Sequence, residues 1–369
     1  MTVSSDSSIS SFQDKVADQL HFTFLNESKT QHISEESARA LMLCKRLNAK
    51  RRFVLILDDM WQKYNLSEVG IPEPTPHNGC KIVLTTRSLD VCKHMEAKEI
   101  GMDLHTTEEA MKLFEDKVGD KVRHKLKSDQ KLVVTMEQIV QECAGLPLAI
   151  VTTARRLEGT IDQEEWEDVL DDLRELRQES EPINKIIKIL KLSFDKLNDG
   201  LKNCLLYCAM FPEDHEIRVE FLIEHFIAEG LIEKKETRQI ETRRGRVMLK
   251  GLQNACLLNG TINHDGEKCV KMHDLIRDMT LQIASEKGYR YLVKSGEKWE
   301  SILYEDIWKD DLTKVSLVNV KSNALNSRPP NSPRLLTLFL YQSYVINCIS
   351  DEFFLHMKGL GVLDYLSQL

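Results

Sequence analysis

Two adjacent carboxylates, Asp58 and Asp59, follow five apolar residues in the stretch FVLILDDMW, Phe53 to Trp61. A second apolar run, KIVLTTRS, ends in two hydroxyls, Thr85 and Thr86, and a guanidinium, Arg87. These residue types suit phosphate chemistry. An aspartate at the carboxyl edge of a parallel sheet can hold Mg2+ directly or through water, and the next acid can orient a water towards a terminal phosphate. A planar cation with five donors can register whether that phosphate is there. The plain alternatives are a buried strand that ends in a turn and an arginine that opens the next helix.

To bring both tips to one edge, the two runs must be parallel strands. Neither alternates polar with apolar residues, so both read as buried on both faces within a sheet covered by helices. Ser34 to Leu47 has a helical period and IPEPTPHNG is a proline-rich loop, so the texture up to about Leu104 is α/β. From His105 to about Met279 the chain reads as mostly helical. Thr106 and Glu109 have capping-box spacing, Gly145 stops one helix, and Pro147 sits in the first turn of the next. IIKILKLSFDKL, LKNCLLYCAMF, VEFLIEHFIAEG and RRGRVMLKGLQNACLL are four more amphipathic helices. A hairpin turning at Asp265-Gly266 follows them, the order of a winged-helix unit. LTKVSL (312–317), LLTLFL (335–340) and LGVLDY (360–365) place apolar residues as LxxLxL, at offsets of 23 and 25 residues. That is either the start of a leucine-rich repeat array or three unrelated strands.

At 369 residues the chain has room for two or three domains with cores of their own. No apolar run approaches the ~20 residues of a membrane span, and the serine-rich start lacks the regions of a signal peptide. Nine scattered cysteines without a CxxC pair read as reduced cytosolic thiols, Cys204 and Cys208 included. A net charge of −8 argues against nucleic acid as the main partner. The basic clusters KRLNAKRR and ETRRGR read as solvated helix ends.

FVLILDDMW, KIVLTTRS, ECAGLPLAI, CLLYCAMFPEDHEI and VKMHDLIRDMTLQIA resemble, in order and spacing, the successive motifs of the NB-ARC module. That module belongs to plant nucleotide-binding leucine-rich-repeat disease-resistance proteins, and Trp61 after the aspartates points to the coiled-coil class. The opening MTVSSDSSIS resembles the strand-and-serine motif that precedes the aspartates, so the likeness covers nearly the whole chain. The resemblance implies a partial α/β nucleotide-binding domain over 1–104, a helical domain over 105–182 and a winged helix over 183–286. A linker over 287–310 and the first leucine-rich repeats over 311–369 would follow. It implies ADP or ATP with Mg2+ as cofactor. Asp58 would be the metal-associated acid, Asp59 the catalytic acid beside the water, and Arg87, with Thr86, the phosphate contact. Pro147 would line the adenine side, and in the Met272-His273-Asp274 switch triplet His273 would reach the β-phosphate, oriented by Asp274.

One departure stands out. The family opens its nucleotide module with GxxxxGK[ST], and these residues contain no Gly-Lys dipeptide. A fragment or a naturally truncated product is expected, with the missing strand leaving an apolar edge beside FVLIL. Losing about four charge-assisted hydrogen bonds, at ~1.5–3 kcal/mol each, weakens a nucleotide site by about four decades. The implied function is a cytoplasmic immune receptor switch, at most a slow ATPase. Its partners would be a pathogen effector or a guarded host protein, with self-association through the NB-ARC region. The alternative is a nucleotide-independent decoy or adaptor. Direct DNA binding is disfavoured, because VEFLIEHFIAEG carries Glu220, Glu224 and Glu229 and no lysine or arginine.

Overall fold

The computed structural model describes residues 3, 8–24, 34–50, 52–75, 77–176, 182–212, 215–295, 308–318, 331–341 and 351–364. Most of the serine-rich start (1–2 and 4–7) lies outside them, as does Tyr365 at the end of the third repeat-like stretch. Two short parallel strands, β1 (Val54–Leu57) and β2 (Lys81–Leu84), pair Val54 with Lys81 through Leu57 with Leu84. Helices α1 (Ile9–Gln19), α2 (Glu35–Asn48), α3 (Leu66–Val69) and α4 (Leu89–His94) belong to the same unit. Ser8 and Ser34 start α1 and α2 by accepting, at Oγ, from the N–H groups of Ser11 and Ser37. Phe12, Val16, Leu43, Leu47 and Leu57 form the core, with Leu55, Ile82 and Leu84 packed against it.

The opposite face of this sheet is bare. Val54, Ile56 and Val83 are 61%, 52% and 49% exposed, and Ile56 and Val83 are register partners. The expectation of strands buried on both faces is therefore corrected: among the described residues, helices cover one face only. Side chains alternate across a strand, and here both faces carry valine, isoleucine or leucine, so composition could not tell the covered face from the bare one. Among the described residues β1 and β2 pair only with each other, and beyond the carboxyl end of β1 the Val3 N–H donates to the Asp58 carbonyl at 2.8 Å.

Helices α5 (Thr107–Lys117), α6 (Asp120–Leu126), α7 (Gln130–Glu142), α8 (Pro147–Arg156) and α9 (Gln163–Glu175) form a second unit. The Thr106–Glu109 capping box opens α5. Phe114, Leu132, Ile139, Ile150 and Trp166 fill the core, and the Trp166 indole donates to the Thr160 carbonyl at 3.0 Å. Between α7 and α8, Gly145 has φ +71, and a Cβ there would lie 2.5 Å from the His105 carbonyl oxygen, so the turn requires glycine.

The third unit holds α10 (Pro182–Asp195), α11 (Asp199–Cys208), α12 (Val219–Ala228), α13 (Arg238–Asn254) and α14 (Asp274–Glu286). Its antiparallel sheet runs β3 (Ile217–Arg218), β5 (Lys268–Lys271), β4 (Asn259–Ile262), and the β4–β5 hairpin turns through Gly266 at φ +79. Helices plus this hairpin are the expected winged helix. Cys204, Cys208, Phe226, Val270 and Met279 lie in its core, and burial pushes the Cys204 thiol up to about 12. ETRRGR does not end a helix, as expected, but lies within α13. Arg244 and Arg246 there pair with Glu233 and Glu220 at 3.0 and 2.9 Å.

A four-stranded parallel sheet completes the described chain: β6 (Tyr291–Ser295), β7 (Lys314–Val318), β8 (Thr337–Tyr341) and β9 (Val362–Asp364). Tyr291, Lys314, Thr337 and Val362 are successive register partners, so the steps are 23, 23 and 25 residues. β6 lies within the 287–310 stretch read as a linker and carries no LxxLxL pattern to announce it.

Candidate functional site

The carboxyl ends of β1 and β2 meet as the two runs predicted. Thr85 Oγ1 donates to Asp58 Oδ1 at 2.6 Å and accepts from the Asp59 N–H at 2.8 Å, so one hydroxyl fixes both acids. Asp59 adopts φ 54, a left-handed conformation uncommon for a residue with a side chain. Thr86 Oγ1 donates to the Met60 carbonyl at 2.6 Å and accepts from the Ser88 N–H at 3.1 Å, which closes the turn into α4.

Arg87 gathers the site. Its Nε and Nη2 donate to the two Asp59 oxygens at 3.3 and 3.1 Å. Nη2 also donates to Asp274 Oδ2 at 2.7 Å, on the first turn of α14 in the winged helix. The guanidinium stacks 4.4 Å from the Trp61 ring, whose Nε1 donates to Asp59 Oδ2 at 2.9 Å. Burial disfavours the Arg87 charge, yet the bond to Asp59 and the fields of Asp59, Asp274 and Asp278 raise its pKa overall. Burial pushes Asp274 up, but His273, the Leu275 N–H and Arg87 together outweigh it and hold the carboxyl below its usual range. Asp278, one turn further along α14, is raised, chiefly by burial.

His273 is the N-cap of α14: its Nδ1 accepts from the Leu275 N–H at 3.2 Å. Met272 is buried in the winged-helix core. Pro147 lies at N1 of α8 in the helical unit, beyond a turn tied by the His105 N–H donating to the Gly145 carbonyl at 3.1 Å. The structure therefore brings Asp59, Arg87 and Asp274 into direct contact, with Asp58, Thr85 and His273 adjoining. Sequence reasoning took Trp61 as a class marker rather than a contact residue and missed Asp278. The i,i+4 spacing of Asp274 and Asp278 was the available signal. Elsewhere among the described residues lie a cavity of about 510 Å³ along α13 and another of about 270 Å³ lined by Arg155, Arg156 and Lys196.

As arranged, the donors of these residues are largely taken up within the chain. The Thr85 and Thr86 hydroxyl hydrogens go to Asp58 and Met60, the Arg87 Nε and Nη2 groups go to Asp59 and Asp274, and Asp278 adds a fourth acid. Phosphate oxygens need donors, and this edge offers mainly acceptors.

Residues 1–124 match the NB-ARC domain family, and residues 210–280 match the disease resistance protein winged helix domain. Disease resistance protein SUMM2 of Arabidopsis thaliana is 37% identical over 336 residues, 89% of this chain and 36% of that protein. Probable disease resistance protein At1g61300, also of Arabidopsis thaliana, is 35% identical over 372 residues, 99% of this chain and 47% of its own length. The chain belongs to the NB-ARC family of plant disease resistance proteins. It spans less than half the length of these curated relatives. The family is a nucleotide-binding one. Among the described residues, no helix is long and apolar enough to cross a membrane.

Proposed function

We propose that this chain is part of a plant intracellular immune receptor, a switch whose α/β unit and winged helix are held together by Arg87. The observation that carries the reading is the single guanidinium shared between Asp59 of one unit and Asp274 of the other. A ligand or partner with different affinity for the tied and untied arrangements would shift their populations, which is what a switch requires. In the family's nucleotide-loaded form, Asp58 would associate with Mg2+, Asp59 would adjoin the water, and Arg87, Thr86, Pro147 and His273 would contact ADP or ATP. The domain boundaries near residues 104, 182 and 286 belong to the same reading. So does the terminal parallel sheet as the start of a leucine-rich repeat array, supported by its steps of 23, 23 and 25 residues. A pathogen effector or guarded host protein as partner, self-association and a cytoplasmic location are proposed on family grounds. Direct DNA binding is not, because VEFLIEHFIAEG itself carries no lysine or arginine to meet phosphates.

For the polypeptide of these 369 residues the reading includes weak nucleotide binding, near ~10 mM, since no Gly-Lys dipeptide is present and the strand tips are acceptor-rich. Calorimetry with ADP and Mg2+ tests it: no saturable heat below millimolar concentration is expected, and micromolar affinity would overturn it. The acceptor-rich edge also favours a second reading, a nucleotide-independent interaction module. Co-precipitation with a receptor or effector that survives Asp58→Ala and His273→Ala would support the module over the switch.

A further inference from the structure

Four charged side chains lie nearly buried where the last turns of α12 meet the terminal sheet, well away from the strand tips. His225 and Asp364 are 11% and 10% exposed, and so are Lys314 and Glu229. Lys314 Nζ is 2.5 Å from Glu229 Oε2 and donates to Thr337 Oγ1 at 3.0 Å, while the Thr337 hydroxyl donates to the other Glu229 oxygen. Lys314 and Thr337 are register partners on β7 and β8, so Glu229 sits across one rung of the sheet. One helical turn earlier, His225 Nε2 lies 3.2 Å from Asp364 Oδ2 and its ring lies 5.1 Å from that of Phe339. Phe339 and Asp364 are register partners on β8 and β9, so His225 sits across the next rung on the same side. The spacings match: four helical residues advance ~6 Å and two strand residues ~6.6 Å.

The histidine is the variable member. Its Nδ1 lies 3.0 Å from the Phe221 carbonyl, which can only accept, so Nδ1 carries a hydrogen. A neutral ring then turns the bare lone pair of Nε2 towards a carboxylate, whereas a protonated ring turns an N–H towards it. We propose that α12 and the terminal sheet form a two-rung clasp whose second rung, His225 to Asp364, closes on proton uptake at His225 and loosens on proton loss.

The groups facing His225 are Asp364 from β9, Glu229 and the Phe221 carbonyl from its own helix, Phe339 from β8 and Tyr207 from α11. Lys314 of β7 reaches it through Glu229. Burial disfavours the imidazolium, but Asp364, the Phe221 carbonyl and Glu229 outweigh it, so the pKa is raised above 6.5. Burial lowers Lys314 and raises Tyr207 from ordinary values of 10.5 and 10.0, and His225 is the member whose ordinary value, 6.5, lies nearest neutrality. A raised folded-state pKa means that the rung is complete below pH 6.5 and is lost as pH rises through the raised value.

Hydrogen exchange on the full chain, corrected for intrinsic rates, tests the clasp. Amides of 314–318 and 337–341 are expected to be about tenfold more protected at pH 6 than at pH 8.5, with α5 to α9 unchanged, the size expected for one charge-assisted bond. His225→Gln, whose amide can donate to Asp364 but cannot titrate, should flatten this difference, and so should Asp364→Asn. Equal protection of the wild type at both pH values would overturn the proposal, as would a pH dependence that persists in either folded variant. If one variant fails to fold, the other decides.

Discussion

Arg87 and Asp274 stand 187 positions apart in sequence, yet Arg87 Nη2 lies 2.7 Å from Asp274 Oδ2. The contact joins the tip of a parallel strand to the first turn of a winged-helix element. Because the Arg87 side chain is 39% exposed, solvent screening discounts the pair. A double-mutant cycle on Arg87→Gln and Asp274→Asn, read by urea unfolding, is expected to give a coupling of about 0.5–1 kcal/mol. A coupling of zero would mean that the two units are held by other contacts.

His215 provides a pH dependence of opposite sign to that of His225. Burial lowers its pKa to about 4, beside the stacked Phe211 ring. The unfolded chain therefore takes up this proton first, and stability falls as pH drops from about 6.5 towards 4. The loss is on the order of 3 kcal/mol, and His215→Phe should flatten that part of the stability profile.

Thr106 accepts from the Glu109 N–H while Glu109 accepts from the Thr106 N–H, so two otherwise unpaired donors of α5 are met. Thr106→Ala should cost about 1 kcal/mol in denaturant unfolding.

The bare face of the first sheet should separate stability from association. Ile56 is 52% exposed and Leu57 is fully buried, one residue along the same strand. Ile56→Thr is expected to change the unfolding free energy by less than about 0.5 kcal/mol while reducing dye binding and aggregation. Leu57→Ala should cost about 2–5 kcal/mol. Similar losses for both would mean that Ile56 is covered in solution.

Local order was strongly marked in the residues. Capping at Thr106, the Gly145 stop, Pro147 at the first helical turn and the Asp265-Gly266 hairpin each follow from backbone geometry within a few residues. The parallel pairing of FVLIL with KIVL followed from two unbroken apolar runs separated by a loop. The candidate positions stood out in the same way, as a carboxylate pair, an arginine at a strand end and a triplet after a hairpin.

Contacts between units were not visible, because they depend on where distant side chains arrive. Tertiary packing alone set Arg87 between Asp59 and Asp274 and stacked Trp61 on it. It alone left Val54, Ile56 and Val83 about half exposed or more among the described residues, since an apolar strand does not record which of its faces is buried. It also aligned His225 and Glu229 with successive rungs of a sheet whose first strand, β6, has no motif. Periodicity and capping act over one or two turns and are written in neighbouring residues. Pairing of charges across domains depends on desolvation and distance in three dimensions, which sequence spacing does not encode.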